Sequence, residues 1–267
     1  MSNFRRVVWI VSLTLSVIIT GFAVGWVGQW LELVFNEAAH IDFLVAALQD
    51  TVHTGMWLVP LLFIPRLRDI GSLRLSWSST IFLLLPPIAL NLFFFGPTEQ
   101  DGILFIYWVW WAMATAAFEE LVFRGYAFRN GSESQPHLVI LVSATCFALA
   151  HLSNLTRDSL DQVFWTLPFH FVLGLALSIV RLASGSLAWC IVLHALLDAS
   201  ANFSVTGPGF QTFLPLAFLV MMIASIYTFC FHPKLRRAAV LSSTLTKDAQ
   251  AESAMTSQVR PIVEDTP

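Results

Sequence analysis

Residues 7–28 read VVWIVSLTLSVIITGFAVGWVG, a stretch without a single charge and with Arg5 and Arg6 just ahead of it. An α-helix rises about 1.5 Å per residue, so roughly 20 apolar residues cross a hydrocarbon core of about 30 Å. The run is too long for the apolar part of a secretory signal, and no small-residue cleavage box follows it before the acidic loop. It reads as a retained membrane anchor. Seven further runs have the same character: Phe43–Ile64, Trp77–Gly96, Ile103–Phe123, His137–Leu155, Val163–Val180, Ser186–Val205 and Phe213–Phe231. The expected fold is all-α, a polytopic transmembrane helix bundle of about eight spans over residues 1–237. The internal prolines Pro60, Pro86, Pro87, Pro168 and Pro215 are compatible with it, because neighbouring helices in a membrane satisfy the carbonyls a proline frees. Residues 238–267 turn to Ser, Thr, Ala, Gln and scattered charge, and read as a disordered cytoplasmic tail.

Composition supports the same conclusion. The chain of 267 residues is 57% apolar and 12% charged, where soluble domains run near 45–50% and about 25%. That excludes a soluble enzyme, a disordered chain and a collagen-like fibre. A net charge of −3 offers no basic surface for nucleic acid. Cys146, Cys190 and Cys230 all lie in apolar runs without a C-x-x-C pair, so they read as reduced structural thiols. Aromatics such as Trp108, Trp110 and Trp111 fit interfacial belts and lipid-facing surface. The loops orient the bundle. Arg5, Arg6, Arg66, Arg68, Arg74, Arg124, Arg129, Arg181, Lys234, Arg236 and Arg237 fall on one side, and Arg157 alone on the other. By the positive-inside rule both termini are cytoplasmic, in a multi-pass protein of the cell membrane.

Charge inside a span costs about 2.5–3.5 kcal/mol per residue on insertion scales, so each instance needs a reason. The fourth run ends in Phe-Glu-Glu-Leu-Val-Phe-Arg-Gly, with Glu119, Glu120 and Arg124; the fifth carries Phe147 and His151; the seventh carries His194, Asp198 and Asn202 at steps of four. Residues four apart share a helix face, so the last three form one polar stripe. Glu120 and Arg124 are a favourable i,i+4 pair and read as a helix-end salt bridge near the cytoplasmic interface. Glu119, turned about 100° from Glu120, is left to face the interior. An acid and two imidazoles on three helices make a catalytic inventory: a general base with donors for a developing oxyanion. Asp198 would orient His194 or donate a hydrogen bond. Asp50 with His53 reads as a structural pair, His170 as interhelical glue, and Phe147 by spacing alone as core. On straight spans, His151 near the outer end of the fifth stands too far from Glu119 near the inner end of the fourth. A shallower fourth span or local kinks would be needed to join them.

These residues resemble the CPBP family of intramembrane glutamic endopeptidases, which includes the CAAX protease Rce1 and bacterial Abi-like proteins. Its motif Glu-Glu-x-x-x-Arg is matched by Glu119, Glu120 and Arg124, Phe-x-x-x-His by Phe147 and His151, and His-x-x-x-Asn/Asp by His194 and Asp198. Gly174 and the run Ser184-Gly185-Ser186-Leu187 resemble the lead-in to the third motif. The matched core is about residues 103–202. Asp198 departs from the Asn usual in prenyl-protein processing members, which bears on the substrate and leaves the fold untouched. The resemblance implies that Glu119 activates a water held by His151, with His194 and Asp198 on the oxyanion side and Glu120, Arg124, Phe147 and Asn202 in support. It implies a peptide or membrane-protein substrate taken from the lipid bilayer, and hydrolysis with no cofactor. Two His and a Glu could bind zinc, but no compact His-Glu-x-x-His box is present, so a metal-dependent variant is the lesser reading. A non-catalytic binding or immunity protein using the same pocket is the alternative from another class. A proton- or ion-coupled transporter is a third, against which stands the lack of broken-helix repeats. Nothing in the sequence sets an oligomeric state.

Overall fold

The computed structural model describes residues 3–34, 72–94, 102–128, 135–156, 158–202, 208–233 and 235–236, with isolated helical positions between 45 and 59. In chain order the α-helices are α1 (Asn3–Val34), α2 (Leu85–Phe93), α3 (Gly102–Glu120), α4 (Pro136–Ala150), α5 (Leu160–Ser184), α6 (Leu187–Asn202) and α7 (Pro208–Phe231). A 3-10 turn, Ser79–Leu84, leads into α2, another, His151–Thr156, continues α4, and a π-turn, Leu121–Tyr126, continues α3. Among the described residues there is no strand, only one bridge between Ser72 and Ser186. The chain is a helical membrane bundle. Val7–Gly28, Pro136–Thr156, Leu160–Ser184 and Phe213–Phe231 are long and apolar enough to cross a bilayer, and Ser79–Phe93 and Leu187–Asn202 are shorter apolar helices.

The differences from the sequence expectation have local causes. Trp77 lies outside the helix it was expected to begin. That segment starts as a 3-10 turn, and Pro86 and Pro87 stand in the first turn of α2, where missing amide donors cost least. The sixth run extends to Leu160–Ser184, because Ser159 and Gln162 form a capping box at one end and Gly185, with φ 72°, closes the other. Asp50 and His53 lie outside the described residues, as does the tail 238–267.

Helix α5 is the axis. Residues 172–180 are buried on every face, the mark of a helix surrounded by protein. By contrast, α1 buries one stripe, Ile10, Leu13, Thr14 and Val17, continued by Gly25 and Gly28, and leaves Val8, Leu15, Ile19 and Trp26 exposed. Lipid is as apolar as leucine, so close packing of small residues, not burial of oil, draws such helices together. Helix α1 meets the 151–156 turn in this way. A Cβ on Gly21 would come within 2.9 Å of Ser153 Cβ, and one on Gly25 within 3.0 Å of Thr156 Oγ1.

At Gly174, α5 passes α4 so closely that a Cβ would lie 3.0 Å from Ala144 Cα and 3.2 Å from Phe147 Cδ1. Backbone cannot yield as a flexible side chain does. Gly174→Ala is therefore expected to destabilise the bundle by about 1–3 kcal/mol, the usual range for overpacking. Thermal unfolding in detergent measures it; an unchanged midpoint would show that the two helices separate freely.

Candidate active site

The first acid pair stands at the end of α3, and the π-turn after it decides where that end goes. A π-turn inserts an extra residue and leaves carbonyls without their usual helical donors. Here neighbouring helices supply donors. Ser143 Oγ donates to the Phe123 carbonyl at 2.8 Å, Arg181 Nε to that of Arg124 at 3.1 Å, and Trp9 Nε1 to that of Tyr126 at 3.2 Å. Residues 121–128 are all buried. The end of α3 is thus held inside the protein, and the expectation of a water-screened helix-end pair is corrected. Glu120 and Arg124 are both fully buried, with Arg124 Nη1 donating to Glu120 Oε1 at 2.9 Å.

Arg124 is a hub. Its Nη2 donates to the Gly174 carbonyl at 3.0 Å, and its guanidinium carbon lies 4.3 Å from the centre of the Phe147 ring. A cation over an aromatic face is attracted by the ring quadrupole. Phe147, fully buried, also sets its edges or faces against His151 and His194, with centroids at 4.9 and 5.8 Å. The residue that spacing assigned to core packing thus forms the common wall of the charged cluster.

The same depth explains why His151 reaches Glu119. Ser143 is level with Phe123 through their hydrogen bond. From that level Glu119 is four residues back, across the start of the π-turn, and His151 eight residues onward at the end of α4. Side chains of a helix tilt toward its N-terminus, so in these two segments Glu119 leans away from Phe123 and His151 leans back toward Ser143. The remaining gap closes to 3.9 Å between His151 Nε2 and Glu119 Oε1.

His194, on α6, completes the cluster. Its Nδ1 donates to Glu120 Oε1 at 2.9 Å, for a carboxylate can only accept. Its Nε2 then faces Glu119 Oε2 at 3.7 Å and Asp198 Oδ2 at 3.6 Å. His151 Nδ1 donates to the Phe147 carbonyl at 2.9 Å, which turns Nε2 toward the glutamate. Glu119, His151, His194 and Asp198 all line one cavity of about 270 Å³. Asn202 is not drawn in; its amide donates to the Asp198 carbonyl on the same helix at 2.9 Å.

His170 belongs to this cavity too, where sequence reading assigned it to helix glue. A usable signal was its position four residues before Gly174, on the face where α5 comes nearest α4. The other walls come from Val17, Gly21 and Gly25 of α1 and from Trp111, Thr115 and Phe118 of α3. Among the described residues no group of three His, Cys, Asp or Glu has the geometry of a metal site. Chemically, the cavity offers a carboxylate and an imidazole 3.9 Å apart, facing a second imidazole fixed by a buried acid.

Residues 101–200 match the model of the Rce1-like family, described as type II CAAX prenyl endopeptidase Rce1-like. No curated protein and no solved structure matches the chain.

Proposed function

Because residues 101–200 match the model of the Rce1-like family of CAAX prenyl endopeptidases, we propose that the chain is an intramembrane endopeptidase in which Glu119 activates a water to hydrolyse a peptide bond. The observation that carries this reading is the 3.9 Å gap between Glu119 Oε1 and His151 Nε2. With its Nδ1 proton given to the Phe147 carbonyl, a neutral His151 presents Nε2 as an acceptor, and the carboxylate is an acceptor as well. Two acceptors at that separation are suited to a water that donates one hydrogen to each. Its oxygen lone pair is then free to attack.

In the proposed step the water oxygen bonds to the carbonyl carbon as Glu119 takes its proton. The carbonyl π electrons move to oxygen, where His194 Nε2, in the doubly protonated ring, donates to the oxyanion. A ring protonated at both nitrogens is matched by Glu120 at Nδ1 and by Glu119 and Asp198 around Nε2. The intermediate collapses when Glu119 returns the proton to the departing nitrogen, releasing an amine and a carboxylic acid, which then passes its proton to the amine. General-base help of this kind contributes about 10²–10⁴-fold, and positioned donors at the oxyanion add about 10²–10³-fold. The substrate is a peptide or a membrane-protein segment. The positive-inside pattern of the basic residues supports a cell-membrane protein with both termini in the cytoplasm.

The test is cleavage of peptides by the purified protein in bilayers, read by mass spectrometry. Wild type is expected to produce one new C-terminus, and His151→Ala to slow it by about 10²-fold. A wild-type protein that cuts no peptide, or a His151→Ala variant at full rate, overturns the assignment.

A further inference from the structure

The imidazole of His170 lies flat against that of His151, with ring centroids 3.5 Å apart and planes 20° from parallel. None of the roles given above to Glu119, His151, His194 or Asp198 uses it. It stands on α5, on the segment leading into the buried axis, and the neighbouring Phe169 ring meets it edge-on at 5.7 Å.

His151 needs such a neighbour. It stands where α4 tightens into the 3-10 turn, and its side chain borders the cavity. One hydrogen bond, from Nδ1 to the Phe147 carbonyl, holds one edge of the ring. The outer torsion of a histidine is broad and roughly two-fold, so a single bond leaves the ring able to flip and swing into open space. The Phe147 ring, at 4.9 Å and 64°, limits it on another side. The stack with His170 covers one face of the ring.

We propose that His170 is a positioning residue: its flat ring clamps His151 so that Nε2 stays aimed at Glu119 Oε1. This rests on the hydrolytic reading for its kinetic consequence and on geometry alone for its structural one. A misplacement of about 1 Å can cost up to about 10²-fold in rate, so the ring's orientation is worth fixing. Because His170 acts through His151, the effect falls on turnover and not on substrate affinity.

The experiment compares wild type, His170→Ala, His170→Phe, His151→Ala and the His151→Ala/His170→Ala double variant. Removing the ring should lower kcat by about tenfold with KM within about twofold. Phe restores a flat surface without the ring nitrogens, and should bring kcat back to within about threefold of wild type. In the His151→Ala background, loss of His170 should cost nothing further. A His170→Ala enzyme at wild-type kcat, a Phe variant as slow as Ala, or additive losses in the double variant each overturn the proposal.

A second measurement is independent of catalysis. In protein carrying ¹⁵N-histidine, the His151 signal, assigned by its absence in His151→Ala, should report one tautomer with the proton on Nδ1. In His170→Ala it should shift toward an average of two. An unchanged signal overturns the clamp whether or not any peptide is cut. A changed signal in a protein that cuts no peptide sustains the clamp and sinks the hydrolytic reading alone.

Discussion

Glu119→Gln is expected to reduce peptide cleavage by about 10⁴-fold, the upper end for loss of a general base, while the protein folds as before. The change is nearly isosteric and removes the one capacity that the proposed mechanism asks of this carboxylate, taking a proton. An amide at that position offers an acceptor oxygen to the water but cannot carry its proton to the leaving nitrogen. Folding should survive because the buried ion pair is made by Glu120, whose Oε1 receives both Arg124 Nη1 and His194 Nδ1 at 2.9 Å. Glu119 has a side chain 16% exposed and stands 3.7 and 3.9 Å from the two imidazoles. The measurement is single-turnover cleavage beside thermal unfolding in the same detergent. Wild-type-like turnover ends the water-activating glutamate. A variant that also fails to fold would move Glu119 from chemistry to architecture.

Arg124→Ala is expected to lower stability by about 3–5 kcal/mol, the cost of removing one partner from a buried pair. Three attachments go at once: the bond to Glu120, the bond to the Gly174 carbonyl, and the cation over Phe147. Glu120 would be left charged with no exposed surface, and the α3 end would lose its tie to α5. Activity falls with it, because Glu120 also orients His194. The check is the unfolding midpoint together with yield from membranes. Normal stability with abolished cleavage would place Arg124 in the chemistry itself. Replacing Glu120 and Arg124 together by Gln and Met should recover part of the stability, since no uncompensated charge is then buried.

Much of this was legible before any coordinates. The uncharged run at residues 7–28 and its later counterparts required a membrane bundle, and the i,i+4 spacings put the ionisable groups on shared faces. The turn from Glu120 to Glu119 separated a paired acid from one facing the cavity, through nothing more than 3.6 residues per turn. What the sequence concealed was depth. Leu121–Tyr126 has no residue that announces a π-turn; it forms because Ser143, Arg181 and Trp9 meet the freed carbonyls from other helices. Such a partnership across 20, 57 and 117 residues of chain leaves no local pattern. For the same reason Glu120 and Arg124 read as a helix-end pair near the interface, and His170 as glue. A stack is a property of two helices and cannot be inferred from the composition of one.

The first helix carries none of the ionisable groups of the site, and it lies outside the stretch that matches the family. Even so, Val17, Gly21 and Gly25 close one side of the cavity, with the two glycines seated against Ser153 and Thr156. The polar cluster and one part of the wall around it are therefore built from separate lengths of chain. A methyl group added at Gly21 or Gly25 would redraw that part of the wall and leave the ionisable groups untouched. The recognised hundred residues, excised by themselves, would be a workshop missing a wall.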